Sequence, residues 1–550
     1  MRTRRRLPYR LALLAVLASS LLLVEACSRA EPPSSPAKAE APAAAKAPEA
    51  APSSVQTASA APAATETAGA TGAVHTCAGA GRWFPADPEK LGRLVDSYLA
   101  TSPAAIPRPP VALIVPHAGY EFSGPVAGKV YATVKGRSYK RVILLGLSHQ
   151  LPLRGASVLT VDAFETPLGR IPVDVEAREA VAKCPVVKEI AAAHRTEHSA
   201  ENQLPFLQRA LGSFKMLEVL VGDMAPDQRA MLADVLRPLV DDSTLVVASS
   251  DFTHYGPNYG YMGPGGTAIP RDRLPEAIQR LNDMAVRKIL EVDVPGWDAY
   301  LAGTQDTICG RAGIGLLLKI LEPLDDVRGL RVAYDTSGQI TGDWTNSVTY
   351  AGIAMWRAGE GLTQAEQATL LMLARDTVAH YMQSGEHLKA DPAKYELTAA
   401  LKAPGAAFVT LKNRGELRGC IGHVIAIEPL YESVIGNACN ACLDPRFTGN
   451  RITAKEVPAL SVEVSVLTPM RRLSDLTKIV IGRDGLVMAR GRQQGLFLPQ
   501  VPGEQGWNRE QYLSNLCRKA GLPESALEDP QTEFYRFSAQ VFGEHEAPGK

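Results

Sequence analysis

The chain has 550 residues, too many for one domain of ordinary size, and its 58 basic and 58 acidic side chains cancel to a formal net charge of zero. With no basic block after the first ten residues, that balance excludes the electrostatic footprint of a nucleic-acid binder. A hydrophobic share of 46% supports a sizeable globular core.

Arg2, Arg4, Arg5, Arg6 and Arg10 precede an uncharged apolar run from Leu11 to Val24. As a helix this run is about 21 Å long, short of a bilayer core of about 30 Å, so it reads as a secretory signal. Val24-Glu25-Ala26-Cys27 looks like a bacterial lipobox, with Cys27 as the lipidated residue. Glu25 fits that pattern poorly, and cleavage near Ala26 is the alternative. Thr3-Arg4-Arg5-Arg6-Leu7 has the look of a twin-arginine signal, which would mean export in the folded state. The expected location is the periplasmic side of the cell envelope, tethered to the membrane through lipid. Residues 28–74 contain no Leu, Ile, Met, Phe, Tyr or Trp, and a segment with so little to bury reads as a disordered Ala/Pro-rich tether.

Seven further cysteines, Cys77, Cys184, Cys309, Cys420, Cys439, Cys442 and Cys517, are scattered and do not form a small disulfide scaffold. An odd number leaves at least one thiol free.

Two globular halves follow the tether, at residues 75–358 and 363–545. In the first, Val111–Val115, Val142–Leu145, Met216–Val221 and Leu245–Ala248 are short runs apolar on both faces, as in strands of a buried parallel or mixed sheet covered by helices. Pro275–Glu291 has the spacing of an amphipathic helix, and Ser347–Met355 is the last strand. This half is α/β. In the second, Thr363-Gln364-Ala365-Glu366 is a capping-box pattern that opens a helix. Ala407–Lys412, Ser461–Leu467 and Gly495–Leu498 read as strands, and Asn508–Ala520 as another helix, giving a separate α+β domain.

Chemistry-bearing residues sit where the first half's strands end. His117 lies in Pro116-His117-Ala118-Gly119-Tyr120, directly after the first run, and His149 in Gly146-Leu147-Ser148-His149 after the second. Asp251 and His254 lie in Ser249-Ser250-Asp251-Phe252-Thr253-His254, after Leu245–Ala248. Open α/β sheets bind ligands beyond the carboxyl ends of their strands, so these residues are expected to converge. Cys309 in Thr307-Ile308-Cys309-Gly310-Arg311 supplies a thiol. Two imidazoles and a thiolate favour Fe(II), Cu or Zn over Mg or Ca, and three protein ligands leave a coordination position open. His254 is then a candidate general acid/base, and Asp251 a carboxylate that orients a neighbouring histidine.

These motifs, with Arg82-Trp83-Phe84-Pro85 and Glu197-His198-Ser199, resemble the Memo-like family over about residues 75–357. The resemblance implies a fold like that of class III extradiol dioxygenases. It implies His117, His149 and Cys309 as ligands of one iron or copper ion, His254 at the acid/base position, and His198 lining the site. Both a redox and a peptide-binding role are attached to the family. Asp162–Gly169 also belongs to the resemblance and reads as a strand and turn without chemistry.

A rival pattern is His194-Arg195-Thr196-Glu197-His198, the H-x-x-E-H of zinc peptidases. Here Ser199 looks like a helix N-cap, which leaves the two histidines in a loop, with His194 as a solvated loop residue. Zinc peptidase chemistry is the minor alternative.

In the second half, Leu417-Arg418-Gly419-Cys420-Ile421-Gly422, Asp444-Pro445-Arg446-Phe447, Gly495-Leu496-Phe497-Leu498-Pro499-Gln500-Val501 and Cys517-Arg518-Lys519-Ala520-Gly521-Leu522 resemble the AMMECR-type family over about residues 363–545. Cys420 is a candidate nucleophile if Arg418 favours its thiolate and His423 serves as base; the alternative is a packed structural thiol. Cys439 and Cys442 form a C-x-x-C that suits packing on a helix, with a disulfide as the other option.

In prokaryotes the two families are encoded with a radical S-adenosylmethionine protein, as the AmmeMemoRadiSam system. The resemblance therefore implies a functional link to such a protein and one substrate, a small molecule or peptide, shared by the two halves. An exported chain is separated from radical chemistry in the cytosol, which weakens that link. The leading expectation is a metal-dependent oxidoreductase. The alternative of another class is a lipid-tethered module that binds a peptide or small molecule without turnover.

Overall fold

The structure, a computed structural model, describes residues 72–544 apart from 103, 105, 360 and 427. The expected signal, Cys27 and nearly all of the expected tether lie outside the described residues. Among the described residues no helix is long and apolar enough to cross a membrane.

The first half is built on a nine-stranded mixed sheet. Its order runs His254–Tyr255, Ser347–Arg357, Pro110–Val115, Thr244–Ser249, Arg141–Gly146, Lys215–Val221, Ala156–Ser157 and Val187–Lys188, with Val327–Thr336 paired to Ser347–Arg357. The four strands from Pro110–Val115 to Lys215–Val221 are mutually parallel, and Ser347–Arg357 joins them antiparallel. The doubly apolar runs have a direct cause. Ala112, Ile114, Ile143, Leu145, Val246 and Ala248 face one core, while Leu113, Val115, Val142, Leu144, Leu245 and Val247 face another. Successive strand residues point to opposite faces, so two buried faces demand an unbroken apolar run. Each fully buried Leu or Ile contributes about 1.5–3 kcal/mol, which fixes the register of the strands that carry the site.

Helix Leu274–Leu290 lays Ile278, Leu281, Ala285 and Ile289 inward, as the spacing requires. Ala163–Thr166 and Gly169–Pro172 form a hairpin, in keeping with the strand and turn read at Asp162–Gly169.

The second half holds two four-stranded antiparallel sheets. One runs Glu416–Gly422, Ala406–Asn413, Leu460–Leu467 and Ala539–Gly543; the other runs Arg471–Arg472, Glu533–Phe537, Gly485–Arg490 and Gln493–Phe497. Helix Gln364–Ser384 starts at a true capping box: the Thr363 amide donates to Glu366 Oε2 at 2.9 Å and the Glu366 amide donates to Thr363 Oγ1 at 3.3 Å. Helix Arg509–Ala520 is capped by Asn508.

The halves meet through main-chain carbonyls. Arg471 Nη2 donates to Val327 O at 2.7 Å, and Arg328 Nη2 donates to Leu467 O at 3.2 Å.

Candidate metal centre

Pro110–Val115, Thr244–Ser249 and Arg141–Gly146 are adjacent and parallel, so their carboxyl ends open side by side. The chain leaving each delivers His117, Asp251 and His149 to one place. Cys309 arrives from the turn before helix Arg311–Leu321, where Gly310 lies so close to its neighbours that a Cβ would stand 2.5 Å from Ser249 O. A ligand atom from each of His117, His149 and Cys309 lies within 4.8 Å of the others. His117 Nε2 is 3.4 Å from Cys309 Sγ.

Second partners settle which ring nitrogen faces inward. His149 Nδ1 lies 2.9 Å from Glu197 Oε1, and the His149 amide donates to Glu197 Oε2 at 2.6 Å. That carboxylate stays ionised, hence acceptor-only, so Nδ1 bears a proton and Nε2 is the nitrogen left to face the site. His117 Nδ1 lies 2.9 Å from Ser249 Oγ, whose own proton goes to Ser199 O at 2.6 Å. Gln203 Nε2 donates to the same hydroxyl at 2.8 Å. His117 therefore also presents Nε2.

Asp251, buried at 4% exposure, takes the His117 amide at 2.8 Å and the Ala118 amide at 3.3 Å on Oδ1. It orients His117 through that residue's main-chain amide. Its own amide donates to Cys309 Sγ at 3.2 Å. His254 Nδ1 sits between Phe252 O at 2.8 Å and Thr307 O at 3.0 Å, so Nε2 is its one basic position. His198 lines the site: its ring stacks on Trp83 at 3.9 Å and 6° and on His149 at 4.6 Å and 18°.

Burial sets the charges. It holds His117 well below the ordinary imidazole range, helped by His149, and it also lowers His254 although Asp251 pulls the other way. His198 is pushed down to about 3 by burial and then by His117 and His149. Burial raises Cys309, and Asp251 adds to the effect, so without a cation it is a thiol. Glu197 falls to about 2, since its hydrogen bond and charge interaction with His149 outweigh burial.

The H-x-x-E-H pattern is not assembled. His194 ends the short helix Ala191–His194 and is buried at 2% exposure, which corrects its reading as a solvated loop residue. Its Nε2 lies 2.9 Å from Ser157 Oγ and its Nδ1 2.9 Å from Glu218 Oε2, so both nitrogens are used away from His198. Ser199 is not an N-cap either: its hydroxyl accepts from Leu147 N at 3.0 Å and donates to Leu147 O at 3.1 Å. Two unused main-chain groups of a neighbouring strand end claimed that hydroxyl. Glu197 is the residue with a role that the spacing did not assign; it stood only inside the H-x-x-E-H pattern and the Glu197-His198-Ser199 motif.

In the second half, Arg418 does not activate Cys420. Its Nε donates to Glu456 Oε1 at 2.6 Å and Nη2 to Oε2 at 3.1 Å, a bidentate pair that engages the guanidinium. Burial raises the Cys420 thiol. His423 bonds Ser433 and Asn437, not Cys420. Cys439 and Cys442 are free, buried thiols on helix Leu430–Cys442.

Comparison with known proteins gives two matches in one chain. A family model described as Memo-like protein matches residues 76–354, and one described as AMMECR1 matches residues 371–542. A MEMO1 family protein of Aquifex aeolicus is 34% identical over 283 residues, spanning 50% of this chain and 97% of that one. Protein MK0488 of Methanopyrus kandleri is 42% identical over 200 residues, 35% of this chain and 94% of its own. A crystal structure of an uncharacterised protein, PH0010 from Pyrococcus horikoshii, is 37% identical, covers 32% of this chain and 90% of its own, and has a TM-score of 0.30.

Proposed function

We propose, for a chain that belongs to the Memo-like family and continues into an AMMECR1 domain, that the first half is an iron- or copper-dependent oxidoreductase and the second binds its substrate or a partner. One observation carries this reading: two imidazoles and a thiol with ligand atoms within 4.8 Å, both rings turned to offer Nε2. The donor set fits such an ion. Burial keeps His117 neutral, and a borderline or soft divalent cation ionises a thiol that burial alone keeps protonated. Such an ion would supply a one-electron redox couple and an open coordination position.

The chain's own groups do the rest. Glu197 and Ser249 hold the ligand rings in one tautomer, and Asp251 fixes the backbone of His117. His254, neutral and with its Nδ1 proton locked on two carbonyls, accepts a substrate proton at Nε2. The Trp83 and His198 rings give the substrate one flat, water-excluding wall. Export and a lipid anchor at Cys27 belong to the same proposal, as does a functional link to a radical S-adenosylmethionine protein. A second reading, recognition of a peptide or small molecule without turnover, draws support from that aromatic wall beside an exposed His149.

The deciding experiment is the metal content of the chain purified without a metal-binding tag, beside His149→Ala and Cys309→Ala. Near-stoichiometric iron or copper, lost in both variants, is the expected result. Absence of metal after anaerobic reconstitution with both ions overturns the oxidoreductase and leaves the binding module.

A further inference from the structure

Trp83, the outer ring of the wall beside the metal centre, stands on a tight turn over residues 79–84. The Arg82 and Trp83 amides donate to Gly79 O at 3.1 and 2.8 Å, and the Gly81 amide donates to Phe84 O at 2.7 Å. What seats this turn is a carboxylate. The Gly79 amide donates to Glu201 Oε2 at 2.7 Å, and Glu201 is buried at 1% exposure. A Cβ on Gly79 would stand 3.3 Å from that oxygen and 3.0 Å from the Phe84 ring, so the close approach needs a glycine. The other oxygen, Glu201 Oε1, lies 3.0 Å from His75 Nε2. Glu201 is also tied to the centre, because the next residue, Asn202, donates through Nδ2 to His117 O at 2.6 Å. One carboxylate therefore joins His75 to the turn that sets Trp83 on His198.

His75 lies on the three-residue strand Val74–Thr76, the edge of a small sheet, paired only with Ala163–Thr166. Its ring leans on Phe164 at 5.3 Å and 60°. The ionisable groups around it are mostly acids. Glu218 comes from strand Lys215–Val221 and is held by His194 Nδ1 at 2.9 Å. Glu165 is opposite Thr76 and tied to Arg170 Nε at 2.9 Å, and the Asp162 amide donates to Ala73 O at 2.7 Å. Cys77 is a buried thiol two residues on. Burial pulls the His75 pKa down, but the hydrogen bond to Glu201 and the charges of Glu218 and Glu201 outweigh it and raise the value above 6.5. A histidine raised on folding contributes fully below its ordinary pKa, and that contribution is lost as the pH climbs through the raised one. Nε2 keeps its proton on the carboxylate throughout, so Nδ1 is the nitrogen that titrates. The hydrogen bond to Glu201 is charge-assisted on both sides while Nδ1 is protonated, and weaker once it is not.

We propose that His75 and Glu201 are positioning residues for the aromatic wall of the metal centre: protonated His75 steadies the carboxylate that seats residues 79–84, and loss of that proton loosens Trp83 from His198. The proposal rests on the reading of those two rings as the wall against which substrate lies. Its test needs neither metal nor substrate, so its failure leaves the metal assay standing, and a failed metal assay leaves this test intact.

The test is amide hydrogen exchange of the full chain, read by peptide mass spectrometry between about pH 5.5 and 8.5. Rates in the peptide spanning residues 79–84 are divided by the intrinsic rate at each pH, and strand Thr244–Ser249 reports global opening. Protection of the turn is expected to fall several-fold as the pH rises, while the reference strand stays level. In His75→Gln it should be low and flat with pH, and in His75→Arg, which carries a permanent charge, high and flat. Glu201→Gln should match His75→Gln; if it does not fold, the two His75 variants carry the test. Protection that is flat in the unaltered chain, a fall shared by the reference strand, the unaltered profile persisting in His75→Gln, or equal loss in His75→Arg and His75→Gln overturns the proposal.

Discussion

Cys309 in the first half and Cys420 in the second are each seated by a neighbouring glycine packed against main chain. A Cβ on Gly310 would stand 2.5 Å from Ser249 O, and one on Gly419 2.1 Å from Ala441 O. Both thiols are partly exposed, and burial raises both. Their company differs. Cys309 looks at an imidazole nitrogen carrying a lone pair, whereas the Cys420 sulfur meets the Thr410 hydroxyl and only its carbonyl meets the Arg446 guanidinium. A thiol facing a lone pair is placed to complete a cation's coordination, while one met by a hydroxyl donor beside packed main chain is placed as a structural thiol.

Four changes break or sharpen that contrast. The largest effect is expected from Gly310→Ala and Gly419→Ala, since the added methyl meets backbone that cannot move aside; each should lower unfolding stability by about 3 kcal/mol, read by urea denaturation. Only Gly310→Ala should also abolish metal uptake. Equal loss of metal in both would mean that the two sites are not independent.

Next comes Glu197→Gln, which keeps the shape but removes the acceptor-only partner of His149. Metal affinity, measured by chelator competition, should fall by about 10–100-fold with little change in stability. An unchanged affinity would remove Glu197 from the site's support.

The smallest effect concerns Arg418. Glu456 is held at about 2 against an ordinary value of 4.5, chiefly by its hydrogen bonds from Arg418. A carboxylate lowered on folding stabilises above its unfolded pKa, and that stability disappears as the pH falls from about 4.5 to 2. Between pH 5 and pH 2 the native chain should lose about 1 kcal/mol more than Arg418→Gln in denaturant titrations. Parallel acid limbs would deny the pair any role in stability.

The fold of the first half was legible because a strand buried on both faces has no polar positions to confuse the pattern. The ends of those runs then located His117, His149 and Asp251. Glu197, His194 and Arg418 were misread for a common reason: each is governed by a partner far along the chain. Glu197 serves His149, 48 residues away, and His194 serves Glu218, 24 residues away. Arg418, two residues from Cys420, turns to Glu456, 38 residues on. Local spacing places a side chain on a face; which charge it meets there is decided by the packing of another element.

Trp83, stacked on His198, which in turn stacks on the ligand ring of His149, gives the first half an optical probe of its own. Of the first half's four tryptophans, Trp83, Trp297, Trp344 and Trp356, Trp83 is the one whose ring stacks on a histidine of the site. A redox-active ion bound two rings away would quench its emission, and a ligand slipping between the rings would shift its colour. Occupancy of that position would then be read in the intact chain as a change in Trp83 emission over that of the other four tryptophans, with no label and no knowledge of the substrate.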